Sequence, residues 1–136
     1  MKMPGAIKYF CLLSVLLQGG TLFSQVLINE IMASNAATHA DVDYGTYCDW
    51  IELYNTTGST IDLSGYFLSD DAGNSSMWEF KAGSVIAAYG YLLVYADGSG
   101  IGLHTNFKLA KEGEQVLLFN KQGLIIDSFG FTYQLN

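Results

Sequence analysis

Asp49-Trp50-Ile51-Glu52-Leu53-Tyr54-Asn55 alternates apolar and polar side chains with a period of two, the pattern of a strand with one face buried and the other wet. Ile51 and Leu53 point to one face; Trp50, Glu52 and Tyr54 point to the other. Thr56-Thr57-Gly58-Ser59 then stops the strand with residues that favour turns. Everything after it repeats the design, a short strand, a polar turn and another short strand.

Upstream, Val26-Leu27-Ile28-Asn29-Glu30-Ile31-Met32 reads as a strand whose alternation breaks at Asn29-Glu30. Those two residues and Glu52 are expected to hydrogen-bond loop backbone and fix strand register. Residues 33–47 have no apolar period and read as a long loop carrying His39, Asp41 and Asp43. Downstream, Ile61-Asp62-Leu63 and Tyr66-Phe67-Leu68-Ser69-Asp70 read as two strands joined by a tight turn at Ser64-Gly65. Met77-Trp78-Glu79-Phe80 alternates again, and residues 90–96 are apolar enough for a central strand covered on both faces. Residues 115–120 and 124–129 form a closing hairpin around Lys121-Gln122-Gly123. No stretch beyond residue 24 carries a helical period. Strands at this spacing, broken by glycine, asparagine and serine, predict an all-β fold, an immunoglobulin-like antiparallel β-sandwich, with a small barrel as the alternative.

The 136 residues suit one domain. Lys2 and Lys8, the apolar run over residues 9–17 and the polar break Gln18-Gly19-Gly20-Thr21 have the layout of a secretory signal peptide over residues 1–24. The run is too short to span a bilayer. The domain is then residues 25–136, secreted or exposed at the cell envelope, with no membrane insertion after cleavage. The six lysines less Lys2 and Lys8 leave four cations against thirteen carboxylates, a formal charge of 4 − 13 = −9 with no arginine. Such a surface repels phosphate backbones, which argues against a nucleic-acid partner. Only Cys48 remains after cleavage, so an internal disulfide is excluded; a small half-buried thiol is expected there.

Six blocks in order resemble the bacterial lamin tail domain: Ile28-Asn29-Glu30-Ile31-Met32-Ala33-Ser34-Asn35, Asp49-Trp50-Ile51-Glu52-Leu53-Tyr54-Asn55, the run from Ile61 to Asp71, Trp78, Gly90-Tyr91-Leu92-Leu93-Val94-Tyr95-Ala96-Asp97 and Leu103-His104-Thr105-Asn106-Phe107-Lys108-Leu109. The resemblance covers about residues 26–131. It implies an immunoglobulin-like sandwich, found in bacteria on exported proteins beside enzymes or other surface modules. It also implies that the chain either stands alone or forms the N-terminal part of a larger envelope-associated enzyme, such as a hydrolase or nuclease. The basic surface linked with nucleic-acid contacts in nuclear lamins is missing here.

No catalytic site follows from the residues. A triad needs a nucleophile, a histidine base and an orienting acid, yet no serine sits in a Gly-X-Ser-X-Gly elbow. His104 reads as a hydrogen-bonded edge residue. A zinc site needs clustered ligands, and one cysteine with two histidines far apart in sequence do not announce one. Asp41-Val42-Asp43-Tyr44-Gly45 opens like a calcium loop but lacks the glycine and glutamate that complete an EF-hand. Calcium is the one cofactor for which the acidic turns offer ligands, at Asp70-Asp71 with Asn74 or at Asp41 and Asp43; a solvated acidic turn is the plainer reading. The functional expectation is a non-catalytic exported module that binds a protein or glycan partner at the cell surface or serves as a scaffold. It would use exposed aromatics such as Tyr44, Tyr47 and Tyr54.

Overall fold

The computed structural model describes residues 24–38 and 40–133. The expected leader therefore lies outside the described residues, apart from Ser24. Nine strands follow in order: β1 (Val26–Met32), β2 (Trp50–Asn55), β3 (Ile61–Asp62), β4 (Phe67–Ser69), β5 (Trp78–Glu79), β6 (Val85–Ile86), β7 (Tyr91–Tyr95), β8 (Gly113–Phe119) and β9 (Ile125–Thr132). No helix occurs among the described residues. The strands form a three-stranded sheet β1-β2-β7, a four-stranded sheet β5-β4-β8-β9 and a two-stranded ribbon β3-β6, with every strand pair antiparallel. The fold is an immunoglobulin-like β-sandwich.

Period-two alternation builds the core. Ile51 and Leu53 from β2, Val94 from β7, Leu68 from β4 and Val116 and Leu118 from β8 meet in one cluster with Leu63, Phe80 and Ile86, all buried. The residues between them on β2, Glu52 and Tyr54, face outward and are partly exposed. Asn55 is the polar exception, with no exposed surface. Its amide nitrogen lies within hydrogen-bond reach of the Ser59, Ile86 and Ala87 carbonyls at 2.7, 3.2 and 2.9 Å. Its oxygen accepts from the Thr57 amide and hydroxyl. The end of β2 is thereby tied to the connection between β6 and β7, and the buried amide is satisfied on both sides.

Three expectations change. Ile61-Asp62 pairs with Val85-Ile86 and not with β4, because the turn at Ser64-Gly65 carries the chain from the ribbon into the four-stranded sheet. Next, β7 is an edge of its sheet while β2 is central. The outward side chain of Tyr91 is 58% exposed while that of Tyr95 on the same face is buried, so the run is covered on both faces only towards its Tyr95 end. Finally, the break at Asn29-Glu30 is a bulge between Ile28 and Glu30. Asn29 Nδ2 donates to Glu52 Oε1 at 2.8 Å, a bond between side chains across the ladder and not to a loop. The Ile28 amide donates to Asp127 Oδ2 at 2.7 Å, linking β1 to β9. Glu30 is exposed, and no donor among the described residues bonds its carboxylate.

Candidate functional site

The long loop between β1 and β2 is held at its base by two acceptors. Asp49 Oδ1 takes the amides of Ser34 and Asn35 at 2.6 and 2.9 Å, which supports Ser34 at φ 76°, a conformation β-carbon-bearing residues seldom adopt. Asn35 donates to the Cys48 carbonyl and accepts from the amides of Ala37 and Thr38. Above this base the loop folds on itself: the Asp41 amide donates to the Thr46 carbonyl, and the Gly45 amide to the Asp41 carbonyl, both at 2.8 Å. Asp41 Oδ1 accepts the Asp43 amide at 2.8 Å, the short-range bond that aspartate makes in turns. The Val42 amide reaches the Tyr95 hydroxyl at 3.3 Å, so the loop lies over the end of β7.

The 103–109 stretch meets the same strand end. The Tyr95 amide donates to the Leu103 carbonyl and the Thr105 amide to the Tyr95 carbonyl, an isolated parallel bridge that places His104 beside Tyr95. His104 is 1% exposed. Its ring lies 5.1 Å from the Tyr95 ring and 5.2 Å, edge-on, from that of Tyr44. Three carboxylates surround it: Asp97 Oδ2 at 2.9 Å and Asp41 Oδ2 at 3.8 Å from Nδ1, and Asp43 Oδ2 at 3.2 Å from Nε2. Burial opposes a charge on this ring, but the hydrogen bonds with Asp43 and Asp97 and the charges of Asp97 and Asp41 outweigh it, and the pKa is raised. Burial likewise pushes Asp97 up, while the Ser99 amide and hydroxyl and His104 prevail and hold its carboxyl below the ordinary range.

The structure therefore revises two expectations. Asp41 is not a solvated loop acid, because its side chain has no exposed surface. His104 is hydrogen-bonded as expected, but it is buried and not at an exposed edge. Ligand types that looked scattered in sequence are brought together: one donor atom from each of Asp41, Asp43 and His104 lies within 4.8 Å of the others. Position in the sequence hid this, since 61 residues separate Asp43 from His104. The available signal was composition: with no arginine and two histidines beyond the leader, a buried histidine is the natural counter-charge for aspartates. His39, the other histidine, lies outside the described residues.

Chemically, the arrangement does not make a nucleophile. Both ring nitrogens of His104 face carboxylates, and among the described residues neither bonds a hydroxyl or thiol. Burial and the charges of Asp41, Asp97 and Asp49 push the half-buried Cys48 thiol up to about 11, keeping it protonated at neutral pH. Asp71 caps its own turn, with Oδ1 accepting the Gly73 amide at 2.8 Å. Two surface cavities, of about 470 and 280 Å³, are lined by residues such as Ile61, Tyr66 and Leu124, and Val85, Leu92 and Leu103. Neither includes His104 or its carboxylates.

A second feature lies on the outward face of β1-β2-β7. Leu27, Tyr54 and Tyr91 are in register across the three strands, and the two tyrosine rings stack at 4.7 Å between centroids. Tyr44 and Tyr47 are 56% and 52% exposed on the long loop. Of the aromatics expected to be displayed, Tyr54 is thus the half-buried member of a pair whose open partner, Tyr91, the sequence did not single out. A family model described as Lamin Tail Domain matches residues 22–133. No curated protein matches the chain.

Proposed function

Because the chain belongs to the lamin tail domain family, we propose that it acts as a non-catalytic exported module that binds a protein or glycan partner at the cell surface. The observation that carries this reading is the outward face of β1-β2-β7, where the stacked Tyr54 and Tyr91 rings lie beside exposed Leu27. Stacked aromatics on a sheet present a large, rigid contact area with a polar rim, and they lose little conformational freedom on binding. The His104 ring nitrogens, which face carboxylates and not a hydroxyl or thiol, and the high thiol pKa of Cys48 support a role without bond-breaking chemistry. Export rests on the layout of residues 1–24.

The test is a glycan array and a binding assay against cell-surface proteins, using the protein and its Tyr91→Ala variant. Tyr91 is exposed, so the variant should keep its denaturation midpoint while losing a ligand that the parent retains. A ligand bound equally by both would overturn the assignment to this face. Hydrolysis of an ester, phosphate or nucleic-acid substrate that His104→Gln abolishes would overturn the non-catalytic reading.

A further inference from the structure

We propose that Asp41, Asp43 and His104 form a binding site for a divalent transition-metal ion of the zinc class. Three observations converge. The first is donor type and spacing: an imidazole nitrogen and two carboxylate oxygens gather within 4.8 Å of one another. Bonds of about 2.0–2.2 Å place two ligands of a tetrahedral zinc ion roughly 3.3–3.6 Å apart, and Nε2 of His104 lies 3.2 Å from Asp43 Oδ2.

The second is an under-supplied buried oxygen. Asp41 Oδ2 belongs to a carboxylate with no exposed surface and is directed at the His104 ring. Its hydrogen-bond and ion-pair partners among the described residues are the Cys48 thiol and His104 Nδ1, each 3.8 Å away. That nitrogen is already bonded to Asp97 at 2.9 Å. The other oxygen, Oδ1, accepts the Asp43 amide at 2.8 Å, so the shortfall is confined to Oδ2, where a buried charged oxygen with only distant partners is costly. A neutral ring leaves three negative charges at this point and a protonated ring leaves two, and among the described residues no lysine pairs with any of the three. A divalent cation on the neutral ring cuts the surplus from three to one.

The third is the supporting bond. Histidines that ligate metals through one nitrogen regularly give the other N–H to a carboxylate, which fixes the tautomer and raises the ligand's basicity. Asp97 Oδ2 occupies that position on Nδ1, leaving Nε2 for the ion and making Asp97 a positioning residue. The imidazole also selects among cations, since nitrogen donors suit zinc and its neighbours while calcium and magnesium take oxygen. Asp43 has a side chain 61% exposed, so solvent reaches that flank and can complete the coordination.

The experiment is calorimetric titration and thermal denaturation of the chelator-treated full chain with zinc chloride, and separately with calcium chloride. Asp43→Asn tests the site at an exposed position where folding is retained, and Cys48→Ser controls for thiol binding. The expected result is a one-to-one zinc complex that raises the melting temperature of the parent and of Cys48→Ser. Asp43→Asn should weaken the affinity by about tenfold or more in a protein that still unfolds cooperatively without metal, and Asp97→Asn should weaken it by about 10–100-fold. Absence of zinc binding overturns the proposal. So does a zinc response unchanged in Asp43→Asn or lost in Cys48→Ser, and so does stabilisation by calcium equal to that by zinc.

Discussion

Asn55 shows how much a single buried amide can hold. It closes the strand whose alternation defines the fold, yet it points inward like Ile51 and Leu53, shares its two N–H bonds among three carbonyls and accepts from a threonine. Asn55→Ala takes one donor from each of those carbonyls, of which Ser59 and Ala87 keep the Thr57 hydroxyl and the Gly90 amide, and it leaves the Thr57 amide without its acceptor. The expected loss is about 2–4 kcal/mol, read as a lower urea midpoint with an unchanged slope. Glu30 behaves oppositely. Its place inside an apolar run suggests a structural bond, but the bulge turns it to solvent, and only the structure distinguishes the two. Sequence identifies a polar residue in a strand; the side of the pleat on which a bulge leaves it depends on the partner strand.

Among elements, those with a local signal were legible: β2 follows from a period-two pattern, β1 from one broken at Asn29-Glu30, β7 from a continuous apolar run and the β8-β9 hairpin from two apolar stretches around turn residues. Their pairing was less so, because β3 has two residues and pairs with an equally short strand 23 positions downstream, and nothing local specifies a contact that distant. The β4–β8 region adds an electrostatic consequence. Burial raises the pKa of Asp70 and of Glu114, and the nearby carboxylates add to both shifts. A carboxyl whose folded pKa lies above its unfolded value of about 4.3 binds its proton more tightly when folded. Its stabilising contribution is complete below the unfolded value and is lost as pH rises through the folded value. The urea midpoint should therefore rise as pH falls towards the unfolded carboxyl values, with His104, whose pKa is also raised, contributing to the same rise at higher pH. In Glu114→Gln, which keeps an oxygen for the Ala110 amide, the rise should shrink, by less than about 1 kcal/mol since the group is partly exposed. An identical pH profile in the variant would contradict this assignment.

At the scale of the molecule, the sandwich was readable because its core pattern is distributed over many strands, while the charged centre was not, because its members come from separate parts of the chain. Asp41 and Asp43 look like loop acids, Asp97 like a turn residue and His104 like one residue of an extended stretch. They meet only once β7 and the sheet beneath it have formed. His104 bonds Asp43 of the long loop and Asp97 just beyond β7, so the loop and the strand end are expected to open as one cooperative unit. Hydrogen–deuterium exchange of the metal-free protein, compared with His104→Gln and with the milder Asp43→Asn, tests this most directly. Both variants should accelerate exchange together at the loop amides of Asp41, Val42 and Gly45 and at the amides of Tyr95 and Thr105, which bond across the strand end. Acceleration confined to one of the two groups, or absent from both, would show that the loop and the strand are held independently and would contradict the account.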